Sequence, residues 1–141
     1  MEIYFVVPDD LNKTHFVFET CGQIFSRQAE KVFLFSNFNE KCIGVALEIA
    51  KNIGCSFKVD MYLNSEGTAT VDFPKRHYWP NHQIYVLVVQ GHIAHAIAKI
   101  FDPDSIKSRM PAIPTDVLFR LKDIFPEEYH GDEIDSAPDE N

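Results

Sequence analysis

The chain reads as a three-layer α/β/α protein built on a mostly parallel sheet. Three observations predict this. Short runs rich in β-branched and aromatic residues recur, chiefly over residues 2–7 (EIYFVV), 31–35 (KVFLF) and 84–89 (IYVLVV). After a charged first residue in the first two, these runs are apolar rather than alternating, as suits strands buried on both faces. Each is followed by a turn and then by apolar residues at helical spacing, so helices are available to cover both faces.

The first run ends at Pro8, and residues 9–12 form a polar turn. Thr14 is placed to cap a helix that continues to about Arg27, with Phe18, Cys21, Ile24 and Phe25 on its apolar face. After the second strand, Ser36, Asn37 and Asn39 supply a turn and a cap. The helix they open spans 39–53, with Ile43, Leu47 and Ala50 as its apolar set and Gly54 as its stop. Residues 56–63 form a short extended segment. Residues 68–82 hold two prolines and no sustained period, which predicts loop. The run at 84–89 is the most secure strand. It meets a turn at Gln90-Gly91 and a helix over 92–101, which Asp102-Pro103 stops. Residues 116–121 (DVLFRL) alternate and are predicted to form a last strand, at an edge of the sheet.

The 141 residues suit one domain with a single core. The net charge of -8 is unevenly spread. Glu127, Glu128, Asp132, Glu133, Asp135, Asp139 and Glu140 carry seven of those charges, and no Lys or Arg follows Pro126. A single domain over 1–125 is therefore nearly neutral, and 126–141 is an acidic tail expected to be disordered beyond about Tyr129. With no basic stripe in either part, nucleic acid is not an expected partner. No apolar run approaches the ~20 residues of a spanning helix, and MEIYFVVPDD lacks the basic start of a signal peptide, so no membrane partner is expected. Cys21, Cys42 and Cys55 are odd in number and lie in apolar stretches, which fits reduced, buried thiols in a cytoplasmic protein.

Ligands of open α/β sheets bind beyond the carboxyl ends of the strands. Here that rule selects Val7-Pro8-Asp9-Asp10, Ser36-Asn37 and Gln90-Gly91-His92. Those three places, with EIAKNIG at 48–54, VDMYLNSEG at 59–67, LVVQGHIAHAIAKIF at 87–101 and DVLFRL at 116–121, make the chain resemble the histidine phosphatase superfamily, whose fold is phosphoglycerate mutase-like. The order and spacing of the segments carry the resemblance over roughly 120 residues.

The resemblance implies an Arg-His-Gly motif after the first strand, a second histidine, a further arginine and an acidic proton donor. Val7 and Pro8 stand where the first arginine and the nucleophilic histidine belong, and proline has no ring nitrogen lone pair with which to form a phosphoenzyme. Glu40 and Lys41 lie near the place of the other arginine. His92 matches the second histidine and Glu66 the acid, both as relics. Asp9 and Asp10 add negative charge. A carboxylate ~5 Å from a phosphate charge costs about 3 kcal/mol at an effective dielectric of 20. The start of the helix at Gly91-His92 returns only ~0.3–1 kcal/mol.

The candidate ligand-binding residues are thus Asp9, Asp10, Ser36, Lys41, Arg76, Gly91 and His92. For each there is a plainer reading. His92 can be a helix-start histidine bonded to backbone, and Asp9-Asp10 a solvated turn that caps the next helix. Lys75-Arg76-His77-Tyr78-Trp79 can be a surface loop rather than a lid. His92 and His95 lie one turn apart but lack a third ligand at recognisable spacing, so no metal is expected. There is no glycine-rich phosphate loop and no nucleophile-elbow serine, and no cofactor is expected. The residues favour a non-catalytic histidine phosphatase-like domain acting as a binding or regulatory module, with a protein partner or a small anionic ligand. The alternatives are a divergent phosphatase or phosphoryl-transfer enzyme using His92, and an unrelated α/β interaction subunit.

Overall fold

A computed structural model describes residues 2–60, 63, 83–101 and 113–120. In chain order these form β1 (Glu2–Val6), α1 (Leu11–Phe25), a 3-10 stretch (Ser26–Lys31), β2 (Val32–Ser36), α2 (Glu40–Ile53), β3 (Phe57–Val59), β4 (Ile84–Val88), α3 (Gly91–Phe101) and β5 (Leu118–Arg120). The sheet order is β3-β2-β4-β1-β5. β1 to β4 run parallel, and β5 closes the edge antiparallel to β1, with Phe5 opposite Phe119.

The sheet is covered on both faces, as its apolar strands require. Val6, Leu34, Val86 and Val88 point to one side, where they meet Val17, Cys21 and Phe25 of α1 and Val45, Ala46 and Ile49 of α2. Phe5, Val7, Tyr85 and Leu87 point to the other side and meet Ile93, Ala94, Ile97 and Ala98 of α3. β4 lies at the centre, and all five of its residues are buried. The three layers and the mostly parallel sheet thus match what the sequence predicts.

Local details differ in two places. The cap of α1 is Asp10, not Thr14: Asp10 is extended and its side chain accepts from the Asn12 N–H. Thr14 instead lies fully buried inside the first turn. A chain-distant carboxylate recruits its hydroxyl, as described below, and no local pattern announces that. Secondly, the buried stripes are rotated from those expected. α1 buries Thr14, Val17, Cys21 and Phe25 and leaves Ile24 46% exposed, while α2 buries Cys42, Val45, Ala46, Ile49, Ala50 and Ile53 and leaves Leu47 43% exposed. Small residues explain the rotation. At Gly22 an added Cβ would lie 2.8 Å from the Asn52 carbonyl oxygen, so α1 and α2 meet through glycine rather than through the bulkier side chains beside it.

Asn39 caps α2 through its side chain, which accepts from the Cys42 N–H, and Gly54 ends the helix at φ 85, a left-handed position suited to glycine. The loop predicted at 68–82, the domain boundary at 125 and the acidic tail lie outside the described residues.

Candidate functional site

β1 and β4 are neighbours in the sheet, yet the chain leaves them in opposite directions. After β1 it turns to α1 on one face, and after β4 to α3 on the other. That divergence makes the carboxyl ends of β1 and β4 the topological switch point, where open α/β sheets place their ligands. The two loops touch: an added Cβ on Gly91 would sit 3.8 Å from Val7 Cγ1.

The loop after β1 is held by a side chain from the far end of the described chain. Asp116 accepts from the Asp9 N–H at 2.8 Å, from the Asp10 N–H at 3.1 Å and from the Thr14 hydroxyl at 2.7 Å. Its own N–H donates to the Val7 carbonyl at 2.9 Å. Partial burial pushes the Asp116 carboxyl pKa up, but the bonds from Asp9, Thr14 and Asp10 and the charge of Lys13 outweigh that and hold it below the ordinary range. Asp116 is left-handed at φ 59, a conformation that Asp tolerates better than most residues. The backbone donors at the start of α1 therefore already hold an anion, and it belongs to the protein.

Lys41, near the start of α2, donates from Nζ to the Asp9 carbonyl at 2.9 Å, so its charge also braces this loop. Between β2 and α3, Asn37 Nδ2 donates to Gln90 Oε1 at 3.0 Å, and the Asn37 N–H donates to the Val88 carbonyl at 3.3 Å. Asn37 is buried, and its Oδ1 has no hydrogen-bond partner among the described residues. Ser36 is fully buried and its hydroxyl donates to the Asn37 carbonyl at 2.8 Å. The Gln90 carbonyl accepts from the Ile93 and Ala94 N–H groups and so opens α3, with Gly91 half-buried and His92 exposed on its first turn.

The structure thus brings Asp9, Asp10, Ser36, Lys41, Gly91 and His92 to the same edge of the sheet. It gives them different surroundings. Asp9, Lys41 and His92 reach solvent, while Ser36 is engaged internally. Asp10 serves as a helix cap, the plainer of its two readings. Arg76, Glu66 and the basic-aromatic cluster at 75–79 lie outside the described residues. Among the described residues no group of three or more His, Cys, Asp or Glu side chains could hold a metal ion. No helix among them is long and apolar enough to cross a membrane.

Sequence reasoning places Asn37 and Gln90 at the strand ends but does not foresee their bond to each other, and it misses Asp116 at this site altogether. Asp116 reads as the first residue of a strand, and Asn37 and Gln90 as turn residues. Each acts on a partner remote in sequence, with Asp116 and Asp9 107 residues apart.

A phosphoglycerate mutase from Plasmodium falciparum shares this architecture. It aligns with a TM-score of 0.57 over 77% of this chain and 70% of that one, at 13% sequence identity. The fold is phosphoglycerate mutase-like. At such identity the likeness carries the fold and no assignment of residues. No family model and no curated protein matches the chain. At the end of β1 stand Val7, which is buried, and Pro8, so no histidine directly follows that strand.

Proposed function

We propose that the chain is a histidine phosphatase-like domain that has lost catalysis and acts by binding. The observation that carries this reading is Asp116, whose carboxylate takes the Asp9 and Asp10 N–H groups just beyond β1. Phosphoryl transfer needs cations and N–H donors aimed at a dianion and a nucleophile within reach. At this strand end the donors serve an internal carboxylate and Lys41 is turned to a carbonyl, and on the sequence resemblance Pro8 stands where the family's nucleophile would be. A phosphate entering here would face the Asp116 charge, at a cost of about 3 kcal/mol for ~5 Å at an effective dielectric of 20. Binding of a protein partner or a small ligand at the surface remains open to such a domain.

The rival is a divergent phosphatase using His92, favoured by the exposure of that side chain on the first turn of α3. The two are separated by assaying the purified chain and His92→Ala for hydrolysis of a generic phosphomonoester and a phosphohistidine peptide between pH 5 and 8. The expected outcome is no turnover in either protein. Turnover that disappears in His92→Ala, or a phosphohistidine formed on the chain itself, would overturn the binding-module reading.

A further inference from the structure

β5 is a slight element. It has three residues, Leu118–Arg120, and it runs against the direction of the other strands. Its neighbour in the sheet is β1, with Phe5 opposite Phe119 and their rings stacked at 5.5 Å between centroids. A short strand at the edge of a sheet belongs to the parts of a fold that open before the rest.

Asp116, just before β5, grips the loop after β1. Its N–H donates to the Val7 carbonyl, and its carboxylate accepts from the Asp9 and Asp10 N–H groups and the Thr14 hydroxyl. Thr14 is fully buried, whereas the bond from Asp9 is exposed, so the grip is anchored in the core at one end and open to solvent at the other. The Asp116 backbone is left-handed at φ 59. A residue other than glycine stays there only while its surroundings over-determine it. Once the carboxylate lets go, relaxation of that backbone to negative φ turns the start of β5 away from β1. The loop needs the same contacts, because its tie to α2 is the exposed Lys41, whose Nζ donates to the Asp9 carbonyl.

We propose that Asp116 is a clasp that makes β5 and the loop after β1 open and close as one unit. The sheet edge and the strand-end crevice are thereby coupled. Such coupling is reciprocal. A ligand that steadies Asp9 and Asp10 tightens β5, and loosening of β5 frees the Asp9 and Asp10 N–H groups at the crevice. Asp116 is a positioning residue in this device, since it acts through the loop. The proposal stands whether or not the crevice is catalytic, because it is read by hydrogen exchange and not by hydrolysis.

The test is amide hydrogen exchange of the full chain at pH 6, followed residue by residue by NMR. Phe119→Leu loosens β5 at its stack with Phe5. It should speed exchange at Asp9 and Asp10 roughly tenfold and leave Val45, Ala46 and Ile49 of α2 unchanged. Asp116→Gly keeps the left-handed backbone without the carboxylate. In that variant Asp9 and Asp10 should already exchange fast, and adding Phe119→Leu should change nothing there. Asp116→Asn, which keeps one acceptor oxygen, should fall between. Unaltered exchange at Asp9 and Asp10 in Phe119→Leu would overturn the coupling. So would equal acceleration in α2, which makes the opening global, or a full Phe119→Leu effect in the Asp116→Gly background, which routes it past the clasp.

Discussion

A carboxylate that accepts from two backbone N–H groups and a threonine hydroxyl is more stable charged than protonated, and Asp116 has that environment. Its folded pKa lies below the unfolded value of about 4. The stabilisation it provides is therefore complete above that value and is lost as pH falls through the folded pKa. Asp116→Asn keeps the shape and the tolerance of a left-handed backbone but removes the charge. It should lower stability at pH 7 by about 1–2 kcal/mol, a range that allows for the partial exposure of the site. Urea unfolding of both proteins at pH 7 and pH 3 should show the difference shrink in acid, and an equal difference at both would reject the charge as the cause. The sequence places Asp9, Asp10 and His92 at a strand end, because hydrophobic runs and turn residues locate strand ends. It does not disclose that Asp116 reaches them, since no periodicity relates residues 107 apart.

The helices show which patterns are local and which are not. Among the described residues, α2, α3 and the largely apolar β1, β2 and β4 lie within two residues of where periodicity and stop signals put them, Gly54 at the end of α2 included, while α1 starts four residues early. The helical faces are less legible. Leu47 is among the most hydrophobic residues of α2 and still points outward, because the side that meets α1 is chosen by the close approach at Gly22. The two glycines make a paired prediction. Gly44, exposed in the middle of α2, has no described residue within 4 Å of an added Cβ, so Gly44→Ala should raise stability by about 0.5–1 kcal/mol. Gly22→Ala would put a Cβ 2.8 Å from the Asn52 carbonyl oxygen and should lower it by about 1–3 kcal/mol despite the same gain in propensity. Thermal denaturation of both variants checks the signs, and matching signs would contradict the packing described between α1 and α2.

For the molecule as a whole, the layer between the sheet and α1/α2 holds thiols that report on opening. Cys21, Cys42 and Cys55 are free, and burial pushes Cys21 and Cys42 up to about 12. Iodoacetamide at pH 8 should modify half-buried Cys55 first and reach Cys21 and Cys42 only through unfolding of the layer. Mass spectrometry over time would read this, and early labelling of Cys21 would contradict the layer's closure. The sheet order has another consequence, for synthesis. β1 lies between β4 and β5, with Glu2 beside Ile84 and Phe5 beside Phe119. At ~5–20 residues per second the ribosome delivers those neighbours many seconds after β1 itself. Until then β1 is a largely apolar strand with two unpaired edges, while β2 and β3 can already pair with each other under α2. The nascent chain should therefore depend on chaperones most while β1 waits, and a destabilised variant should aggregate through that strand.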